Sequence, residues 1–152
     1  IVIDKTSSRS ASDVKEVIQE LNSTYYKTGN YFKIKEIVIN TGDLNKSGYM
    51  IPSLRKLRKL KTTDITIYIT GHHKGTAIGA AMNGGLNTSR SLILVDLDAP
   101  NTNKDCSRVV AHEVGHLFGL GHGNNKSFIM STFGNEVYSN KFTSKNLDKL
   151  CK

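Results

Sequence analysis

The 152-residue sequence has no tryptophan, only two prolines and two cysteines, and no long apolar run. Its longest apolar stretch, residues 91–97, has the length of a β-strand and falls far short of the ~20 residues that a membrane span needs. Apolar residues make up 38% and charged residues 22% of the chain, which excludes a coiled coil, a collagen-like chain and low-complexity disorder. The length and composition together predict one globular domain.

Acidic residues are also few. The chain has 13 Asp and Glu against 21 Lys and Arg, so its net charge is +8. This charge permits attraction to nucleic acid, sulfated glycans or acidic lipids, and it is equally compatible with solubility alone. The chain begins with Ile1 and no signal peptide is recognisable, so we expect Ile1 to follow a processing site or an arbitrary boundary.

Hydrophobic periodicity predicts an alternation of strands and helices. Strands are predicted at residues 1–3, 33–40, 64–70, 75–82 and 91–97. The first helix should begin at Ser10, which has capping-box spacing to Asp13. Further helical segments are predicted at 51–60, 106–119 and 143–151. This order indicates an α/β (α+β) sandwich with an irregular C-terminal part.

Three of the five histidines fall within eleven residues, in the sequence HEVGHLFGLGH at 112–122. His112 and His116 are one helical turn apart, so both imidazoles leave the same helix face and can bind one ion. His122 can join them only if the helix ends, and Gly119 stands where a left-handed cap would reverse the chain. Three imidazoles suit Zn²⁺ and leave a fourth position for water.

Glu113 directly follows the first of these histidines. The helix places its carboxylate beside the water at the fourth ligand position, where it can accept a proton as a general base. Given this chain's composition, the extended motif would arise by accident in roughly one case in a hundred thousand. Incidental histidines on a packed helix are therefore the weaker interpretation.

The extended motif resembles that of the metzincin clan of zinc endopeptidases, and Met130 adds to the resemblance. Metzincins carry a methionine-containing turn beneath the metal. Met130 follows His122 by eight residues, a distance similar to that of the matrixin branch. Gly123 is not the usual residue after the third ligand in matrixins, adamalysins or astacins. Thr132 stands where astacins and serralysins have a tyrosine ligand, so the resemblance implies three protein ligands and leaves the branch open.

The resemblance also implies a fold and a substrate-binding edge. We expect one metzincin-like catalytic domain over residues 1–152, with a twisted, mostly parallel sheet to about residue 121 and a small irregular subdomain with a final helix from about 122. An extended peptide would bind along the edge strand. The segment between Met130 and about Tyr138 would line the pocket for the residue after the cleaved bond. The edge strand maps to 77–82, which gives the substrate-binding residues Ala77, Ile78, Gly79, Ala80 and Ala81.

We therefore expect a secreted, monomeric zinc endopeptidase acting on proteins or peptides, with one catalytic Zn²⁺. An extracellular class would allow a disulfide between Cys106 and Cys151, tying the start of the active-site helix to the last helix. One alternative is a basic glycan- or nucleic-acid-binding module with a vestigial zinc site, although such a site has no use for Glu113. The other alternative is a zinc amidohydrolase acting on non-protein amides.

Three further features have competing interpretations. Basic residues alternate with leucines in residues 55–61. This pattern indicates either a contact with an anionic glycan or the solvated face of a helix, and the second interpretation is favoured. Adjacent side chains diverge, so His72 and His73 are expected to face solvent rather than form a second metal site. Asp96 and Asp98 could bind Ca²⁺, but no clear motif supports this and ordinary solvation at a strand end is favoured.

Overall fold

A computed structural model describes residues 1–50, 52–53, 65–74, 76–82, 91–100, 102–125, 127–131 and 141–151 of the chain. The described part contains five strands: β1 (Val2–Asp4), β2 (Val38–Asn40), β3 (Thr66–Thr70), β4 (Gly79–Ala81) and β5 (Leu92–Asp96). Its α-helices are α1 (Ala11–Tyr25), α2 (Asn103–Leu117) and α3 (Ser144–Leu150), and a 3₁₀ turn spans Tyr26–Thr28. None of these helices combines the length and apolarity that a membrane span requires.

The strands form one sheet in the order β2-β1-β3-β5-β4. The first four in this order run parallel, whereas β4 pairs antiparallel with β5. Within the described residues, β4 ends the sheet. The structure thus confirms the α/β class and the mostly parallel sheet with a short strand near residues 75–82.

Helix α1 forms as the sequence predicts. The Ser10 side chain accepts a hydrogen bond from the Asp13 backbone N–H, and the Asp13 carboxylate accepts one from the Ser10 backbone N–H. This reciprocal cap fixes the first turn. The apolar residues at helical spacing are all buried against the sheet and α2: Val14, Val17, Ile18, Leu21 and Tyr25.

Several predicted boundaries are wrong. The strand predicted at 33–40 is restricted to Val38–Asn40, and Ile34 and Ile37 pack against the core without joining the sheet. Helix α2 begins three residues before Cys106, because the Thr102 side chain caps the backbone N–H of Asp105. The helical turns predicted at 51–60, with the basic segment 55–61, lie outside the described residues except for 52 and 53.

The sheet is covered on both faces. Ile67, Ile69, Ile93 and Val95 belong to the large core beneath α1 and α2. The opposite face carries a second cluster, in which Met50 lies against Tyr68, Ala80, Leu92 and Leu94. Strand β3 is therefore buried on both faces, since Tyr68 on the second face is only 4% exposed. The subdomain boundary near residue 121 stays a prediction.

The predicted disulfide is wrong. Cys106 is 0% exposed, and its thiol donates to the backbone oxygen of Leu97 at 3.3 Å. Cys151 is exposed at the end of α3, and both cysteines are free thiols. The sulfur of Cys106 is turned into the core, so it cannot reach a surface partner without disrupting the start of α2.

Candidate metal centre

The chain reverses at the end of α2, as the third histidine requires. His112 and His116 lie one turn apart on α2, which ends at Leu117. Gly119 has a φ of 76°, the left-handed conformation expected of a residue that ends a helix. The backbone N–H of Gly119 donates to the backbone oxygen of His116, and the N–H of Leu120 donates to the Gly115 oxygen. These bonds turn the chain back so that His122 faces the helix.

The three histidines converge on one point. The Nε2 atoms of His112 and His116 are 3.1 Å apart, and each lies 3.0 Å from the Nε2 atom of His122. Nitrogens bound tetrahedrally to one zinc at ~2.0–2.1 Å are roughly 3.3 Å apart, which is close to this triangle. In the described part of the chain, these side chains make up the one group of three that could bind a metal.

Backbone oxygens fix the tautomers of the two helical ligands. The Nδ1 atom of His112 donates to the Ile129 oxygen and that of His116 to the Leu120 oxygen, each at 2.8 Å. A carbonyl can only accept a hydrogen bond, so each Nδ1 carries the proton and each Nε2 presents a lone pair. Lone pairs facing one another at about 3 Å repel unless a cation lies between them. The residues therefore fit a bound zinc ion.

The two ligands on α2 are also held neutral. Burial lowers the pKa of His112 to about 4, although its hydrogen bond to Ile129 acts in the opposite direction. Burial likewise lowers the pKa of His116. A neutral imidazole is the form that binds a metal, so both side chains are in the ligating state at neutral pH.

Met130 lies next to this site. Its side chain is buried against α2, and its backbone oxygen accepts the N–H of Gly123, directly after the third histidine, at 2.6 Å. Ser131 forms a single parallel β-bridge with Gly123. The turn around Met130 is therefore tied to the segment that carries His122. Thr132 and the remainder of the predicted pocket segment to Tyr138 lie outside the described residues.

Glu113 lies between α2 and the edge strand. Its side chain is 6% exposed, and burial raises its pKa to about 8. A Cβ atom placed on Gly79 would lie 2.6 Å from Oε1 of Glu113, so the carboxylate rests directly on the backbone of β4. Sequence reasoning missed this contact. A glycine inside a predicted strand is, however, a known signal that another group approaches the backbone closely.

The predicted substrate-binding residues lie in or beside β4. Gly79, Ala80 and Ala81 form the strand, while Ala77 and Ile78 precede it, and the Ile78 oxygen accepts the Asp96 N–H at 2.8 Å. Ala80 turns toward the second cluster, away from α2. Of these residues, Gly79 borders the carboxylate of Glu113, and the role of all five in substrate binding stays a prediction.

The prediction that His73 faces solvent is wrong. Its Nδ1 atom donates to Asp96 Oδ2 at 2.5 Å, and Asp96 is only 2% exposed. Asp96 also accepts the backbone N–H groups of Asp98 and Ala99, so simple solvation does not describe it either. The sequence did contain a signal for this contact, because Asp96 is a charged residue at the end of an otherwise apolar strand, β5. His72 is more open, with its Nδ1 atom 3.7 Å from Asp43.

Asp98 is likewise engaged by protein groups rather than by water alone. Its two carboxylate oxygens accept the Ser7 hydroxyl at 2.9 Å and the Ser8 backbone N–H at 2.6 Å. Asp96 and Asp98 therefore anchor loops, and within the described ranges they join no group of three metal-ligating side chains.

A comparison with protein families matches residues 8–123 to a family described as metallo-peptidase family M12B reprolysin-like. This span runs from the residues before α1 to just beyond the third histidine. The chain belongs to the reprolysin-like metallopeptidases. It is therefore a peptide hydrolase, zinc is its metal, and the metzincin resemblance is confirmed. The matrixin-like distance between His122 and Met130 did not identify this family.

Solved structures show the same fold at low sequence identity. Archaemetzincin from Methanopyrus kandleri is 18% identical, with a TM-score of 0.66 over 98% of this chain and 91% of its own. A zinc-dependent peptidase from Methanocorpusculum labreanum is 17% identical, with a TM-score of 0.64 and 98% of each chain covered. Metalloproteinase-II from Bacteroides fragilis is 20% identical, with a TM-score of 0.64 over 98% of this chain and 50% of its own. Comparison with curated proteins finds no significant match.

Proposed function

We propose that this metallopeptidase is a secreted endopeptidase in which Glu113 is the general base. One observation carries the catalytic assignment: the Glu113 carboxylate rests on the backbone of the edge strand β4, and Glu113 directly follows the ligand His112 on α2. A carboxylate in this position can reach both the metal-ligand face and a peptide along β4.

The chain's own residues then divide the work. When bound by the three histidines, zinc supplies Lewis-acid chemistry that activates water and polarises the scissile carbonyl. The Glu113 carboxylate accepts a proton from the attacking water and passes it to the leaving nitrogen. Burial raises the pKa of Glu113, whereas a cation bound nearby would lower it by favouring the charged carboxylate, which is the form that a general base requires.

The edge strand supports peptides rather than small amides as substrates. β4 is antiparallel to β5, and within the described residues it ends the sheet. An extended peptide can add to such an edge through backbone hydrogen bonds, which a small non-protein amide cannot do over several residues. The proposal also includes secretion and a monomeric state, and these two properties rest on the metzincin resemblance alone. The free cysteines give secretion no support.

The test compares Glu113→Ala with His116→Ala in the zinc-loaded protein. A peptide library is digested with and without a zinc chelator, and the products are read by mass spectrometry. Glu113→Ala should retain one zinc per chain and lose on the order of 10²–10⁴-fold in rate, because only the base is removed. His116→Ala should lose zinc and rate together, because two imidazoles hold zinc poorly.

Glu113→Gln is the matched control, since it keeps the shape of the side chain and removes its basicity. Parent-like cleavage by Glu113→Ala or Glu113→Gln would contradict the assignment of the base. Parent protein that binds anionic glycans with a steep salt dependence and cleaves no peptide would instead favour the binding-module alternative. Cleavage of small amides alone would favour an amidohydrolase.

A further inference from the structure

We propose that Gly79 is a positioning residue for Glu113. The missing side chain at this point of β4 makes the space that the Glu113 carboxylate occupies. This inference rests on the proposed role of Glu113 as the general base, and it adds a residue from a different element of the fold.

The contact involves the whole end of the Glu113 side chain. A Cβ atom built on Gly79 would lie 2.6 Å from Oε1, 2.9 Å from Cγ and 3.0 Å from Cδ of Glu113. Carbon atoms in proteins pack at about 3.5–4.0 Å. Rotation of the carboxylate alone cannot relieve such an overlap, because Cγ is involved as well.

Glu113 also has little room to move elsewhere. The side chain is almost fully buried, with α2 on one side and β4 on the other. A methyl group at residue 79 must therefore shift the carboxylate along the strand or separate β4 from α2. Both changes move the base relative to a peptide that would add to the edge of β4.

Backbone conformation does not account for this glycine. Within the described residues, the glycines with positive φ are Gly29, Gly48 and Gly119, and Gly79 is not among them. Alanine is thus allowed at residue 79 by the backbone, and glycine inside a strand is normally the less favourable residue. The packing of Glu113 is what excludes a side chain here.

The strand register makes the requirement specific to this position. Gly79 pairs with Val95, and Ala81 with Ile93, so both face α2, whereas Ala80 faces the second cluster. Ala81, which also faces α2 and carries a Cβ, lies two residues farther along β4. The glycine therefore coincides with the one point of β4 on which the carboxylate rests.

The first experiment is a mutant cycle on the metal-free protein, measured as the urea midpoint of unfolding. Gly79→Ala should lower the midpoint in the parent and equally in Glu113→Gln, which has the same shape. In Glu113→Ala the same substitution should leave the midpoint unchanged or raise it, because the space is then empty and alanine suits a strand better. If Gly79→Ala alone does not fold but Gly79→Ala combined with Glu113→Ala does, that outcome supports the proposal more strongly still.

Gly42→Ala is the matched control. Its added Cβ meets only the Asn40 side chain, at 3.1 Å, so its effect on the midpoint should be the same in all three backgrounds. An equal loss from Gly79→Ala in the parent and in Glu113→Ala would overturn the proposal, because the two residues would then not share space.

The second experiment measures cleavage of the best library peptide by zinc-loaded Gly79→Ala. We expect kcat to fall on the order of 10²-fold, as displacement of a catalytic group by about 1 Å allows, with KM and zinc stoichiometry within about twofold of the parent. Unchanged kcat, or a change confined to KM, would overturn a positioning role.

The two experiments separate this inference from the proposed function. Should the parent cleave no peptide, the proposed function fails on its own evidence, while the mutant cycle still reports whether Gly79 and Glu113 share space. Should Glu113→Ala abolish cleavage while Gly79→Ala leaves kcat intact, the base assignment stands and the positioning role is rejected.

Discussion

The Sδ atom of Met130 lies 2.5 Å from the position that a Cβ atom would take on Gly115. Gly115 is in the interior of α2, where glycine is less favourable than alanine by roughly 0.5–1 kcal/mol. Gly115 lies between the ligands His112 and His116 in the sequence. Its lack of a side chain leaves room for the Met130 side chain to pack against α2. The residue next to Met130, Ile129, accepts the Nδ1 proton of His112, so this packing bears on the orientation of a ligand.

Gly115→Ala should therefore weaken zinc binding. The added methyl group displaces Met130 and with it the Ile129 oxygen that orients His112. Loss of such an outer contact typically lowers metal affinity by about 10–100-fold. The affinity is measured by competition with a chromophoric chelator. Combining Gly115→Ala with Met130→Ala restores the space and should recover part of the loss. Parent-like affinity of Gly115→Ala alone would contradict this account.

The two thiols should differ in reactivity. Native protein at pH 8 should react with one equivalent of a thiol reagent at Cys151, because Cys106 is buried and burial raises its pKa to about 11. Unfolding without a reductant should expose the second equivalent. No reactive thiol in the unfolded, unreduced chain would show that the cysteines are paired after all.

The stability of metal-free protein should fall as pH rises from about 6.5 to about 8 because of Glu113. Its pKa is raised from 4.5 to about 8, so the stability linked to its proton is fully present below about pH 4.5 and is lost as pH rises through 8. Glu113→Gln should show a smaller fall in urea midpoint over this range. The lowered pKa of His112 affects stability only below about pH 6.5. Equal falls in parent and variant would contradict the prediction.

Removing the hydroxyl of Tyr25 should destabilise the contact between α1 and α2. This hydroxyl donates to the Ala111 oxygen at 2.9 Å inside the core. Tyr25→Phe should cost about 1–2 kcal/mol of unfolding free energy, measured by urea denaturation. The control is Tyr26→Phe, since Tyr26 is 82% exposed and its substitution should change stability by less than about 0.5 kcal/mol. Equal effects would mean that the buried bond contributes nothing.

The features that the sequence could predict are those written in short stretches of chain. The core face of α1 follows from spacing within fifteen residues, and the metal ligands follow from spacing within eleven. Each pattern is decided by helix geometry, so no knowledge of the sheet is needed.

The features that escaped prediction join residues that are distant in the chain. Glu113 meets Gly79 across 34 positions, and His73 meets Asp96 across 23. Such pairs depend on which strand lies next to which, and the order of strands is not encoded in any local period. The failed disulfide has the same origin, because the direction of the Cys106 side chain depends on how α2 packs on the sheet.

The carbonyls that orient His112 and His116 belong to the backbone of Ile129 and Leu120. Replacing either side chain leaves the backbone carbonyl in place, so a substitution at these two positions can change packing without removing the hydrogen-bond acceptor of the histidine. The orientation of the ligands is therefore inherited from the path of the loop. Mutational tolerance at residues 120 and 129 is then limited by whether a new side chain preserves that path, and insertions or deletions between them should be far more damaging than substitutions.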